Sequence, residues 1–244
     1  AIAVGCPVIV KPAATTPLSC LEFVALVHES GLPEPWCQSF LPDGNELAEK
    51  LATDRRIAFL SFIGSARVGW SLHAKLAHGT RSALEHGGAA PAIVDRSADL
   101  DRIIEPLVKG GYYHAGQVCV STQRIYVHDD IAEDFTHRLI ARVEKLRTGD
   151  PTLRDTEVGP LILPREADRV MEWIGEAVNG GAMLATGGQR LSESTVQPTV
   201  LLDPTPDARI STLEIFGPAV AVYRYDDLDD AIARANALPT AFQA

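Results

Sequence analysis

The chain reads as an α/β protein in two units. Three observations predict this: strand and helix signals alternate through the first third, a glycine-rich break follows, and the same alternation then restarts. Its 46% hydrophobic and 22% charged content over 244 residues suits a globular chain with a sizeable core. The elements follow in order. Pro7 to Val10 is a short apolar strand. Thr16 caps a helix with Pro17 in its first turn, running from Leu18 to Ser30 and stopped by Gly31 and Pro33. Trp36 to Leu41 is a strand, Asp43 to Ala52 a helix, Ile57 to Phe62 a third strand, and Arg67 to Leu76 a helix opened by Gly64 and Ser65. This β-α-β-α-β order predicts parallel strands with crossover helices, half of a Rossmann arrangement. The glycine fingerprint G-x-G-x-x-G is absent, and GSARVG stands in its place.

Beyond Gly87-Gly88 the second unit begins. Ala92 to Val94 is a strand, and Asp99 to Tyr113 a helix with Leu100, Ile103, Ile104, Leu107 and Val108 on one face. Ile125 to His128 is a strand and Ile131 to Leu146 a long helix, followed by a turn at Asp150-Pro151. Arg165 to Val178 is a helix. Strands follow at Met183 to Ala185, Thr199 to Leu202 and Ala219 to Tyr223, and the last helix runs from Asp227 to Ala237.

Composition narrows the function classes. A net charge of −10 without a basic cluster argues against a nucleic-acid partner, since such binding displaces counterions with a basic patch. No apolar run is long enough to span a bilayer, so the expectation is a cytoplasmic protein without membrane partners. The four cysteines, Cys6, Cys20, Cys37 and Cys119, are widely spaced and read as reduced thiols. The seven histidines show no zinc spacing, so no metal site is expected. The chain opens on AIAVGCPVIV and closes on NALPTAFQA, which reads as a cut through a larger protein at both ends.

Several positions carry possible chemistry. Cys119, in HAGQVC, lies past a glycine between a helix and a strand, where backbone N–H groups can stabilise a thiolate. Taken alone, a buried structural cysteine is the commoner reading. Glu85 precedes two glycines, so a flexible backbone could carry its carboxylate into a cleft, where partial desolvation suits a general base. A solvated turn glutamate is the alternative. Gly64 and Ser65 open a helix after a strand, which suits a phosphate or an ordinary cap equally. Lys11 directly follows a strand, where it can reach ribose hydroxyls or simply meet solvent. Glu214 and Phe216, in LEIFGP, can take ribose hydroxyls and pack on a flat ring, or form a plain turn.

In this order the segments resemble the aldehyde dehydrogenase superfamily, and the resemblance covers essentially the whole chain. VIVKPA is similar to the family's lysine–proline stretch, FIGSARVG to its phosphate turn, LEHGG to its glutamate motif and GQVC to its cysteine motif. GDP, VGPLI and LEIFGP resemble three further signatures. The resemblance implies the second half of a Rossmann-like cofactor domain, residues 1–86, followed by most of an α/β catalytic (thiol) domain, residues 87–244, cut short at its C-terminus. It implies NAD(P)-dependent oxidation of a small-molecule aldehyde to a carboxylic acid. Cys119 is then the nucleophile and Glu85 the base that activates water. Lys11 and Glu214 hold ribose hydroxyls, Gly64 and Ser65 a cofactor phosphate, Val68 the adenine side, and Phe216 the nicotinamide side. It also implies a homo-oligomer in the full-length protein, and an oxyanion-hole asparagine and an oligomerisation arm outside this chain.

The sequence departs from the family pattern at several places. Ala14 replaces the ribose-binding glutamate three residues after the lysine, which leaves NADP as well as NAD open. His86 and Ala89 replace leucine and lysine around the base, Ile63 replaces threonine, and His114 stands where asparagine is usual. Two other expectations stand beside the catalytic one. The first is a truncated, catalytically incompetent fragment with a structural or oligomerising role. The second is a cysteine hydrolase using Cys119 with His114, for which no aspartate–histidine pairing speaks.

Overall fold

Short apolar stretches broken by proline and glycine give the first unit short strands. In the computed structural model, which describes residues 1–239 and 244, the chain forms two compact units, Ala1–Glu85 and His86–Ala244. The first contains β1 (Val8–Val10), α1 (Leu18–Glu29), β2 (Cys37–Ser39), α2 (Asn45–Ala52), β3 (Phe59–Ile63), α3 (Ala66–His73) and β4 (Arg81–Glu85). β1 pairs with β2 and β3 with β4, both parallel, so α1 and α3 are the crossovers of two β-α-β units. The two pairs are separate ladders, and β2 does not pair with β3.

Three local expectations are corrected here. Thr16 does not cap α1: the cap position is Pro17, already near helical angles at φ −80° and ψ −26°. The proline ring sets φ for the helix, which leaves Thr16 outside, its N–H closing a turn on the Ala13 carbonyl. Trp36 is not in a strand, because a 3₁₀ turn over Glu34–Trp36, with Pro35 inside it, delays β2 by one residue. The largest difference is β4, a strand that the sequence pattern does not predict. Glu85 does not ride on a flexible glycine segment. It is the last residue of β4, paired with Ile63, and its carbonyl accepts from the Gly64 N–H at 3.1 Å. RSALE lacks β-branched residues, so its strand comes from pairing with β3 and not from its own propensity.

The second unit holds the buried apolar cluster, which runs from Val94 to Ala231. Its elements are β5 (Ala90–Val94), α4 (Leu100–Tyr112), β6 (Thr122–His128), α5 (Asp129–Val143), α6 (Pro164–Asn179), β7 (Met183–Thr186), β8 (Thr199–Leu202), α7 (Arg209–Thr212), β9 (Ala219–Tyr225) and α8 (Leu228–Ala235). They build a five-stranded sheet in the order β5-β6-β9-β8-β7, parallel except for β7 at one edge. Central strands covered on both faces need continuous apolar runs, and Ile125, Val127, Val200, Leu201 and Ala221 are fully buried accordingly. Helix starts follow their caps: Asp99 accepts from Asp101 N–H, and Asp227 from Asp229 N–H. α5 begins two residues before the predicted Ile131, because His128 Nδ1 accepts from the Asp130 N–H. Gly110 and Gly111 let α4 lie close on the sheet. A Cβ at Gly110 would sit 2.7 Å from Thr122 Oγ1, and one at Gly111 2.6 Å from Val220 Cγ1. No helix among the described residues is long and apolar enough to cross a membrane.

Candidate active site

Open α/β folds gather ligands at the carboxyl ends of parallel strands. In the first unit those ends bring together the Gly64–Ser65 turn after β3 and Glu85 at the end of β4, joined by the Gly64–Glu85 backbone bond. The spacing of the two glycines in GSARVG has a packing cause. The Phe62 ring fills the space where side chains would stand: a Cβ at Gly64 would be 2.8 Å from it, and one at Gly69 3.1 Å. Ser65 is the N-cap of α3 but makes no side-chain cap bond, so its hydroxyl is not spent on the helix. Val68 is exposed one turn along. Lys11 is exposed just after β1, its Nζ resting on the adjacent Pro12 carbonyl at 2.7 Å. Ala14 is exposed as well. Glu85 is also exposed, so the expected partial burial of its carboxylate is not found: it ends a two-stranded ladder.

In the second unit the thiol loop is shaped by backbone geometry. α4 runs into a 3₁₀ turn at Tyr113–Gly116, and three successive residues there adopt left-handed angles: His114 (φ 50°), Ala115 (φ 56°) and Gly116 (φ 68°). Such angles are unusual for side-chain-bearing residues, histidine being among the better tolerated and alanine not, so Ala115 above all is held there by its surroundings. Gln117 supplies part of that hold. Its Nε2 donates to the His114 carbonyl (3.1 Å) and the Pro160 carbonyl (3.3 Å), and its Oε1 accepts from the Ile162 N–H (2.9 Å). Ser121 N–H closes a turn on the Val118 carbonyl, and Ser121 Oγ donates to Gly110. Cys119 stands inside this turn as a half-buried free thiol.

The Glu214 loop abuts the thiol loop. A Cβ at Gly116 would overlap the Gly217 carbonyl, so the two main chains touch there. Phe216, itself at φ 45°, is 39% exposed. The Glu214 carboxylate lies against Gly87, where a side chain would overlap it. Its Oε1 is buried and has no hydrogen-bond partner among the described residues. Burial raises the carboxyl above its ordinary 4.5, opposed by the positive fields of Arg169 and His86. The folded chain therefore holds this proton more tightly than the unfolded chain does. The stability penalty is absent below 4.5 and grows as pH rises through the raised value. Glu214→Gln is expected to raise the thermal midpoint at about pH 7, with the gain fading below about pH 4. Melting curves across that range check it.

The structure thus gathers Gly64, Ser65, Val68 and Glu85 around β3, α3 and β4 in one unit. In the other it brings together Cys119, Glu214 and Phe216. Lys11 follows the separate β1–β2 ladder. The sequence reading missed the residues that hold the loops: Gln117, Gln123, Arg169 and the glycines at 87, 116 and 217. Gln117 and the three glycines lay within the quoted GQVC, LEHGG and LEIFGP stretches, without the reason for them being readable there; Gln123 and Arg169 carried no local signal.

Two parallel β-α-β units followed by a mixed, mostly parallel sheet that carries a free thiol in a fixed loop define an α/β architecture. The chain belongs to the aldehyde dehydrogenase family, whose model matches residues 1–244. It is 39% identical over 237 residues to a 3-sulfolactaldehyde dehydrogenase of Priestia aryabhattai, covering 97% of this chain and 49% of that protein. It also matches the crystal structure of an NAD-dependent aldehyde dehydrogenase from Sinorhizobium meliloti, with a TM-score of 0.94 at 33% identity, over 98% of this chain and 48% of that one. An NADP-dependent enzyme of E. coli matches with a TM-score of 0.93 at 33% identity, over 97% of this chain and 50% of that one. The chain spans about half the length of the relatives it matches.

Proposed function

We propose that this chain carries the thiol and cofactor-binding elements of an NAD(P)-dependent aldehyde dehydrogenase, which converts an aldehyde to a carboxylic acid. The carrying observation is the contact of the Cys119 loop with the Glu214 loop at Gly116 and Gly217, which sets a free thiol and a donor-seeking carboxylate on one scaffold.

In this reading residues 1–86 contribute to dinucleotide binding and residues 87–244 form the thiol domain. The Cys119 thiolate adds to the aldehyde carbonyl, forming a C–S bond and an oxyanion that the Cys119 N–H helps to hold. When bound, NAD or NADP accepts the hydride that leaves this carbon, and a thioester on Cys119 remains. Glu85 takes a proton from water, the resulting hydroxide equivalent attacks the thioester, and the acid leaves as the C–S bond breaks. Its exposure at the end of β4 leaves water free to reach it.

The residues fit a dinucleotide. The half-buried Glu214 carboxylate suits a ribose hydroxyl, and Phe216, two residues on, is exposed enough to pack on a flat ring. Lys11 offers an ammonium to a second ribose. Ser65 and the free N–H groups at the start of α3 suit a phosphate, and Val68 an adenine edge. Ala14 places no carboxylate near Lys11, so a 2′-phosphate meets no repulsion there, which leaves NADP open beside NAD.

Isothermal titration of this chain with NAD and with NADP tests the reading. Heat is expected with both, and Glu214→Ala should weaken each by roughly tenfold or more, the worth of a hydrogen bond to a charged acceptor. Absence of binding to either cofactor overturns the proposal.

A further inference from the structure

Glu214 presents a difficulty that its own contacts do not resolve. Its Oε1 has no hydrogen-bond partner among the described residues, so no hydrogen bond to that oxygen aims the carboxylate. Something else must fix the loop that carries it. Gln123, on β6, is only 3% exposed, and its side-chain amide faces that loop. Its Nε2 donates to the carbonyls of Ile210 and Leu213, both at 2.7 Å, and its Oε1 accepts from the Ile215 N–H at 2.9 Å. The amide therefore grips the main chain immediately before and immediately after Glu214. On the far side Arg169, from α6, donates from Nη1 to the Ile215 carbonyl at 2.7 Å.

We propose that Gln123 is a positioning residue for cofactor binding, acting through the main chain that flanks Glu214. The proposal rests on the reading of Glu214 as a cofactor-binding carboxylate. Both donors of a primary amide and its carbonyl are needed to make these three bonds, and a buried amide is strongly directional. Three main-chain attachments around one residue limit where its Cα can sit. The carboxylate is then ordered before a ligand arrives, and the entropy of ordering it is not lost on binding. A glutamate in place of Gln123 would keep the length but turn an acceptor toward two carbonyls. A methionine would keep the bulk and remove all three bonds.

Calorimetric titration of the full chain with NAD and NADP, at a temperature well below every variant's melting midpoint, tests this. Gln123→Met and Gln123→Glu are each expected to raise Kd by roughly tenfold. Alkylation of Cys119 by iodoacetamide without cofactor, followed by peptide mapping, is expected to stay within about twofold of the parent chain, since the thiol loop keeps its Gln117 and Ser121 attachments. The decisive arm is a double-mutant cycle. In a Glu214→Ala background Gln123→Met should change Kd little, because the group it positions is gone. An unchanged Kd in the folded single variants overturns the proposal, as does an equal loss with and without Glu214. If the parent chain binds neither cofactor, the reading of Glu214 fails first and this inference falls with it. Binding by the parent together with unchanged variants removes this inference alone.

Discussion

Cys119→Ala is expected to lose covalent labelling by aldehyde-mimicking electrophiles and to lower any aldehyde oxidation by about 10³-fold or more, while cofactor binding persists. The expectation separates chemistry from binding because the carboxylate and ring assigned to the cofactor lie on a different loop. The chain carries its own control. Cys6 is exposed and Cys20 half-buried, so a general thiol reagent will mark them as well, whereas Cys37 is fully buried. The measurement is therefore peptide-mapped mass spectrometry after treatment with an aldehyde mimic and cofactor. Label should fall on the peptide that contains Cys119 in the parent chain and vanish in the variant. Label that persists at another cysteine with undiminished yield would remove Cys119 as nucleophile. Replacement by alanine changes little else: the turn around Cys119 is held by Ser121 and Gln117, whose bonds do not involve the thiol.

Legibility in the sequence followed the range of the interactions. The central strands were plain from their apolar runs: Thr199–Leu202 coincides with its predicted bounds, and β6 and β9 differ only at their ends. The starts of α4 and α8 were readable to within one residue, at Asp99 and Asp227, because the capping aspartate and its helix are neighbours in the chain. β4 was hidden because RSALE owes its strand to a partner. The turn at His114–Gly116 was hidden because two of its three left-handed residues are not glycine. Cys119, Glu85 and Glu214 stood out through the ordered company of motifs, not through their own surroundings. Gln123 could not stand out that way. The bond it accepts spans 92 residues, from a strand to a loop in another part of the sheet, and no local pattern encodes it. Gly87 was visible in LEHGG, but the cause of its missing side chain was not: Glu214 arrives against it from far along the chain.

Gly116→Ala is expected to destabilise the second unit by about 3 kcal/mol, visible as a fall of roughly 6–12 °C in its thermal midpoint. Two effects combine. At φ 68° an L-residue meets the strain of the left-handed region, and the new Cβ would overlap the Gly217 carbonyl, a main-chain atom that cannot rotate aside. Relief requires either unwinding the turn that leads to Cys119 or pushing back the loop that carries Glu214. The second route is itself obstructed: a displaced Gly217 would carry Ile215 and Phe216 with it, against the bonds from Gln123 and Arg169. Gly217 is also packed on Val170, which lies fully buried in the core. The strain should therefore fall mostly on the turn before Cys119. Labelling of Cys119 should suffer more than cofactor affinity even in the fraction that stays folded. Equal losses in both would instead mean that the two loops move as one body, with the Gly116–Gly217 contact kept intact.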